Sequence, residues 1–262
     1  MDPRHGRSKE NDVSNPTGKI AVVTGASKGI GASIAEHFAA AGASVVVNYA
    51  TSKTGADAVV KRIKTKGGKA IAVQGDVSKP ADIGKVFGAT KKAYGKLDIL
   101  VNNAGTYEFL PLEAITPEHF HKQFDLNVLG LLLTTQEAVK LIVPGGGSII
   151  NVSSIVGPMP VPMASVYSAT KAAVDAITVS LAGEPGPKKI RVNSINPGMV
   201  ETEGLHAVGF AESDFRKHTE ATTPLGRIAQ PQDIATAAVF FASDDAGWVT
   251  GQTLLLTGGA RQ

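Results

Sequence analysis

Seven short runs rich in β-branched residues recur along the chain: KIAVVT (19–24), SVVVNY (44–49), KAIAVQ (69–74), LDILVN (97–102), GSIINVS (147–153), KIRVNSI (189–195) and QTLLLT (252–257). Helical periodicity fills the stretches between them, at 29–41, 53–66, 80–94, 117–142, 166–183 and 231–242. The runs are apolar almost throughout instead of alternating with polar residues. A strand has that composition when both of its faces are covered, as in a parallel sheet. Alternating strands and helices therefore predict a doubly wound α/β domain, a seven-stranded parallel sheet with helices on both faces. Right-handed crossovers then place a ligand at the carboxyl ends of the strands.

No internal repeat and no linker divides the body, so residues 17–262 read as one domain. Residues 1–16 are polar and lack the apolar segment of a signal peptide; they read as a flexible tail. The stretch 198–227 carries no clear strand pattern after the sixth run and reads as a substrate lid. The chain has no cysteine, which removes disulfides and thiolate metal sites and fits a cytoplasmic protein. No apolar run approaches the ~20 residues of a membrane span. Between Lys53 and Lys96 stand eleven Lys and Arg against Asp57, Asp76 and Asp82. These cations recur at helical spacing and read as solvated helix faces, not as a nucleic-acid surface. His119 and His121 stand two apart on one helix and point apart, so both read as surface residues and no metal site is expected.

The first strand runs directly into TGASKGIG (24–31). Glycines 25, 29 and 31 there let backbone N–H groups and a helix N-terminus approach a phosphate. Four further pieces follow: NNAG (102–105), Asn127 within DLNVLG, Ser154 thirteen positions before the Tyr167 of YSATK (167–171), and NPGMVET (196–202). In this order and spacing the motifs resemble the compact branch of the short-chain dehydrogenase/reductase family, over residues 17–259. The resemblance implies a Rossmann domain, a nicotinamide dinucleotide and a small carbonyl or alcohol substrate. It also implies a homotetramer. By the same resemblance Gly25, Ser27, Lys28, Gly29, Ile30 and Gly31 hold the pyrophosphate side. Asp76 and Val77 lie at the adenine, Asn103, Ala104 and Gly105 at a ribose, and Pro197, Gly198, Val200 and Thr202 at the carboxamide.

An NAD enzyme of this fold places an acid about 20 residues past the glycines, on the ribose 2′-hydroxyl. Here the second strand ends in Tyr49, Ala50, Thr51 and Ser52, with no acid before Asp57. Hydroxyls and the nearby Lys28 and Lys53 can receive a 2′-phosphate. NADP(H) is therefore expected over NAD(H).

Tyr167 and Lys171 are one helical turn apart and share a face. A free phenol has a pKa of about 10, and lowering it to about 7 takes roughly 4 kcal/mol. A unit charge about 4 Å away supplies roughly that at an effective dielectric near 20. Lys171 can thus make Tyr167 a usable acid and base. The family resemblance assigns the proton transfer to Tyr167 and substrate polarisation to Ser154. It gives Lys171 the ribose hydroxyls and Asn127 a relay water. Ser153 reads as a local hydrogen-bonding neighbour. Tyr107, Phe109, Leu110, Met159, Val161, Met163, Met199, Leu205 and Phe210 offer mostly apolar walls, some of them core, which suits a hydrophobic ketone. A 3-oxoacyl-thioester or a sugar is the alternative substrate, and a non-catalytic dinucleotide sensor is the alternative of another kind.

Overall fold

The computed structural model describes residues 16–142, 144–207, 209–210 and 212–260. The expected tail falls almost entirely outside the described residues. Each apolar run forms a strand: β1 (Ile20–Val23), β2 (Ser44–Tyr49), β3 (Lys69–Gln74), β4 (Ile99–Asn102), β5 (Gly147–Val152), β6 (Ile190–Pro197) and β7 (Thr253–Leu256). They make one seven-stranded parallel sheet in the order β3-β2-β1-β4-β5-β6-β7. The order reverses between β1 and β4, so the crevice beyond their carboxyl ends is where a ligand of this fold binds.

The sheet faces explain the lack of alternation. Ala21 and Val23 of β1 join a core with Ile34 and Phe38 from α1 (Gly29–Ala40), Val59 from α2 (Lys53–Thr65) and Phe241 from α9 (Pro231–Ala242). Ile20 and Val22 face the other way, into a core with Val86 and Phe87 of α3 (Pro80–Tyr94) and Ala138 of α5 (Leu131–Leu141). Both strand faces are dry, which is the condition the apolar runs signal.

One helix departs from its sequence pattern. The stretch read as continuous over 117–142 is α4 (Pro117–Phe124), a π-helical turn (Asp125–Gly130) and then α5. The turn brings Gly130 against the loop after β3, where a Cβ would stand 2.6 Å from the Val77 carbonyl oxygen. His119 corrects another expectation: it is buried, its Nε2 2.9 Å from the Gln123 amide, whereas His121 is exposed beside Asp125. Positions two apart cannot share a face, but that geometry leaves one of the pair free to turn inward.

α6 (Ser165–Gly183) ends at the close of the periodic stretch 166–183, two residues before Pro185. Among its described residues the segment after β6 holds no strand; it folds into α7 (Glu203–Ala207) and α8 (Asp214–Thr222). In the basic stretch, Lys53, Arg62, Lys79, Lys85 and Lys96 pair with Asp57, Glu36, Asp76, Asp82 and Asp98. No helix among the described residues is long and apolar enough to cross a membrane.

Candidate active site

The glycine turn is built by close packing. Gly25 and Gly29 take positive φ, 60° and 56°. A Cβ on Gly25 would lie 2.9 Å from the Ala104 Cα, and one on Gly31 would lie 2.4 Å from the Asn103 Nδ2. Asn103 donates its amide to the carbonyls of Thr24 and Gly25 at 2.9 and 3.1 Å. The buried Thr24 hydroxyl accepts the N–H groups of Asn103 and Ala104, both at 3.0 Å. NNAG and TGASKGIG thus form a single unit. Asn48 completes it from β2, accepting the Gly25 N–H and donating to the Gly75 carbonyl at 2.9 Å.

The N-terminus of α1 carries no side-chain cap and no acid in its first turn. Ser27, Lys28, Gly29 and Ile30 lie at this end, with Lys28 exposed. Free N–H groups at a helix N-terminus suit a pyrophosphate, and the Glu203 carboxylate stands at the same end, its Oε2 3.6 Å from where a Cβ on Gly29 would lie. Thr202 approaches from the other side: a Cβ on Gly29 would meet its methyl at 3.4 Å. A groove of about 690 Å³ starts there, lined by Gly29 and Thr202, by Ser33 and His37 of α1, and by Gln230 before α9. None of Asn127, Ser154 and Tyr167 borders it.

After β2, Ala50, Thr51 and Ser52 are exposed, whereas the Tyr49 side chain is buried in the core. Lys53 is paired with Asp57 at 2.6 Å, so Lys28 is the less encumbered of the two lysines proposed for a phosphate. Asp76 accepts the Ser78 N–H and hydroxyl at 3.0 and 2.7 Å. Burial pushes its carboxyl up, but those bonds and Lys79 outweigh it and hold the group below its usual range. Val77 and Val200 are buried, and Pro197 is the last residue of β6, its carbonyl taking the Ile155 N–H at 2.9 Å. Gly198 donates to the Leu256 carbonyl at 2.9 Å.

The four expected catalytic residues converge at the carboxyl ends of β4 and β5. Ser154 hydrogen-bonds the Tyr167 phenol. The Lys171 Nζ lies 5.7 Å from the centre of the Tyr167 ring and donates to the Val152 carbonyl at 2.9 Å. Asn127 accepts the Thr106 N–H at 2.8 Å and donates to the Thr106 carbonyl at 2.8 Å and to Thr170 at 3.1 Å. A Cβ on Gly105 would touch both the Asn127 Oδ1, at 3.2 Å, and the Lys171 Nζ, at 3.7 Å, so these groups share one pocket. Ser153 points away and donates to the Lys171 carbonyl at 3.1 Å.

The electrostatics differ from the sequence expectation. Burial pushes the Tyr167 phenol up to about 12, outweighing the hydrogen bond from Ser154. Burial also pulls the Lys171 ammonium down to about 8, against the pull of Asp175. Both groups lose water, and for each of them that loss is the largest effect. The Tyr167 phenol therefore keeps its proton at neutral pH.

Aromatic rings cover the phenol. Tyr107 and Phe109 stand 5.8 and 6.2 Å from the Tyr167 ring, and Phe109 stands 5.8 Å from Phe210. Of the other expected walls, Leu205 is buried, and Met163 is exposed with a positive φ of 64°. Sequence reasoning missed Glu201. It bonds His206 of α7 and Arg216 of α8, each at 2.5 Å, and so ties both short helices to the end of β6.

The geometry is that of an oxidoreductase with a dinucleotide fold and a Ser–Tyr–Lys site, and comparisons place it. The family profile described as Enoyl-(Acyl carrier protein) reductase matches residues 25–261. An uncharacterized oxidoreductase of Methylorubrum extorquens is 54% identical over 95% of this chain and 100% of its own length. A hydroxynaphthalene reductase-like protein Arp2 of Metarhizium robertsii is 39% identical over 97% of this chain and 98% of its own. A 7α-hydroxysteroid dehydrogenase, solved with NADH and 7-oxo glycochenodeoxycholic acid, superposes with a TM-score of 0.92 at 35% identity, covering 97% of this chain and 98% of that one. The chain belongs to the short-chain dehydrogenase/reductase family.

Proposed function

We propose that this protein is an NADP(H)-dependent reductase of ketones, reversible toward secondary alcohols, with Tyr167 as acid and base. The carrying observation is the Tyr167 phenol, hydrogen-bonded to Ser154, with the Lys171 ammonium 5.7 Å from its ring centre. A bound nicotinamide supplies or accepts the hydride. Ser154 orients and polarises the substrate oxygen, and Tyr167 delivers a proton to it. Lys171 holds the ribose hydroxyls and Asn127 anchors the relay water, and both approach Gly105. The glycine turn, with Gly25, Gly29 and Gly31, receives the pyrophosphate. Lys28, Thr51 and Ser52 receive the 2′-phosphate, and the absence of an acid directly after β2 favours that reading over NAD(H).

The rings of Tyr107, Phe109 and Phe210 support a flat, hydrophobic ketone, aromatic or fused-ring. The named substrates of the hydroxynaphthalene and hydroxysteroid relatives agree with that shape. A 3-oxoacyl thioester fits less well, since the turn PGGGS (144–148) before β5 offers no cation for an acidic carrier. The segment 198–227 acts as the lid, latched by Glu201. Four copies assemble, using the exposed Leu254 and Leu255 of the edge strand β7.

The test is NADPH oxidation with fused-ring ketones, quinones, a β-ketoester, a short 3-oxoacyl thioester and a keto-sugar, with NADH in parallel. Turnover with fused-ring ketones is expected, lost by about 10²–10⁴-fold in Tyr167→Phe. Faster turnover with NADH would overturn the cofactor reading. Tight NADPH binding with no turnover on any carbonyl would point to a sensor.

A further inference from the structure

Resting on the reductase reading above, we propose that Gln123 is a positioning residue for the substrate wall: its buried side-chain amide, oriented by His119, holds the segment that carries Tyr107 and Phe109. That segment, 103–111, runs from β4 to a short helical turn at Leu112–Ala114 and forms neither helix nor strand. Its course is therefore set by whatever bonds its backbone. Three ties fall two residues apart. Asn127 accepts the Thr106 N–H and donates to the Thr106 carbonyl, both at 2.8 Å. Gln123 does the same at Glu108, its Oε1 accepting the N–H at 3.3 Å and its Nε2 donating to the carbonyl at 3.4 Å. The Leu110 N–H donates to the Met163 carbonyl at 2.8 Å. Two amides four residues apart thus stand in for a neighbouring strand, which bonds alternate residues of its partner. The middle tie falls between the two rings, which stand 5.8 and 6.2 Å from the Tyr167 ring and 5.9 Å from each other.

The two Glu108 bonds are long for an amide and fix its orientation only weakly. A third bond is shorter. Gln123 Nε2 lies 2.9 Å from His119 Nε2, and since an amide nitrogen only donates, the ring nitrogen accepts. Gln123 is wholly buried and His119 nearly so, which takes water out of competition for this bond. With Nε2 accepting, the ring proton sits on Nδ1, a buried atom with no hydrogen-bond partner among the described residues. An apolar side chain at 119 would leave no such donor unpaired. The imidazole instead supplies the acceptor that turns the Gln123 amide toward Glu108. Lys122 also pairs with Glu108, but that ion pair is exposed and holds little.

Gln123→Met keeps the length of the side chain and removes its amide. KM for a fused-ring ketone such as 2-tetralone should rise about tenfold, with kcat and the Kd for NADPH within about twofold, since a displaced wall weakens substrate and transition state alike. Lys122→Met should leave KM within about twofold. An unmoved KM in Gln123→Met, a kcat that falls as far as KM rises, or an equal rise in Lys122→Met would overturn the proposal. In protein labelled with 3-fluorotyrosine, the Tyr107 resonance, assigned with Tyr107→Phe, should shift in Gln123→Met and stay in place in Lys122→Met. The Tyr49 and Tyr94 resonances, from β2 and α3, should stay in both. A Tyr107 resonance unmoved by Gln123→Met would count equally against the proposal. Should Gln123→Met not fold, His119→Leu and His119→Gln decide by the same two readouts. The first should move the resonance and raise KM about threefold, and the second, with an amide oxygen in reach of Gln123, should restore both; no change in His119→Leu would sink the idea. The fluorine spectrum needs no turnover, so a wild type that reduces nothing would refute the reductase reading without touching this measurement.

Discussion

At the scale of single residues, Tyr167 and Lys171 share one helix face and respond to burial in opposite directions. Lys171 gives a stability prediction. Its folded value is about 8 against an ordinary 10.5. Between those values the unfolded chain holds the proton and the folded chain does not, so stability rises with pH across that window. Tyr167 acts the other way, but only above about 10, where the unfolded phenol ionises. Urea unfolding of wild type against Lys171→Met should therefore show a difference that shifts in favour of the wild type from pH 8 to pH 10, on the order of 2 kcal/mol. A difference flat in pH would refute the buried-ammonium picture. The Tyr–Lys spacing was legible in the sequence because both residue types are costly to bury without a purpose. The bond from Asn196 to Asp175 of the same helix, at 2.8 Å, was not, because a carboxylate at helical spacing reads as a solvated one. Asn48 and Asn196 were hidden for a related reason: a polar residue in a strand gives no sign of which loop carbonyl or carboxylate its amide will reach. The phenol's upward shift also follows from burial, which spacing cannot report.

At the scale of elements, every strand followed from its apolar run, and the ends of α1, α2, α3, α6 and α9 followed from periodicity bounded by Gly, Pro and polar residues; α7, α8 and the break within 117–142 did not. The π-helical turn at Asp125–Gly130 was illegible, because its cause is a close approach to the Val77 carbonyl and not a local preference. Glycines divide by the same criterion. Gly31→Ala would drive a Cβ to 2.4 Å from Asn103 and 2.7 Å from the Gly25 carbonyl, within the helix turn that meets NNAG. It should cost about 1–3 kcal/mol of stability and weaken NADPH binding at least about tenfold. Gly88→Ala in α3 meets nothing within 4 Å and should raise stability by about 1 kcal/mol, as helix propensity alone dictates. Thermal melts of the two variants check the contrast; a Gly31→Ala protein that melts like the wild type would show the turn to be slack.

At the scale of the whole molecule, the sheet and its helical layers are tied by buried amides as well as by apolar packing. Asn102 donates to Asn151 at 2.9 Å and to Thr135 at 3.0 Å, and accepts from Thr134 at 2.7 Å. Asn151 passes the chain on to Thr178 of α6 at 2.9 Å. These bonds join β4, β5, α5 and α6 in one register, since a slip of either strand would leave amides unpaired in a dry interior. The outer edge is less complete. β7 presents Leu254 and Leu255, 37% and 45% exposed, and Trp248 is fully exposed before it. Light scattering is expected to give four copies, and Leu255→Glu should reduce that number; a wild-type monomer at micromolar concentration would refute the assembly. The strand order carries one more consequence, for the chain as it is synthesised. β1 is central in the sheet, yet its second neighbour, β4, is translated only after β2, β3 and all three intervening helices. Until then a nascent β1–β2–β3 unit holds one bare backbone edge along Ile20–Val23. Ribosomes that stall between β3 and β4 therefore release the form of this protein most prone to pair with another strand.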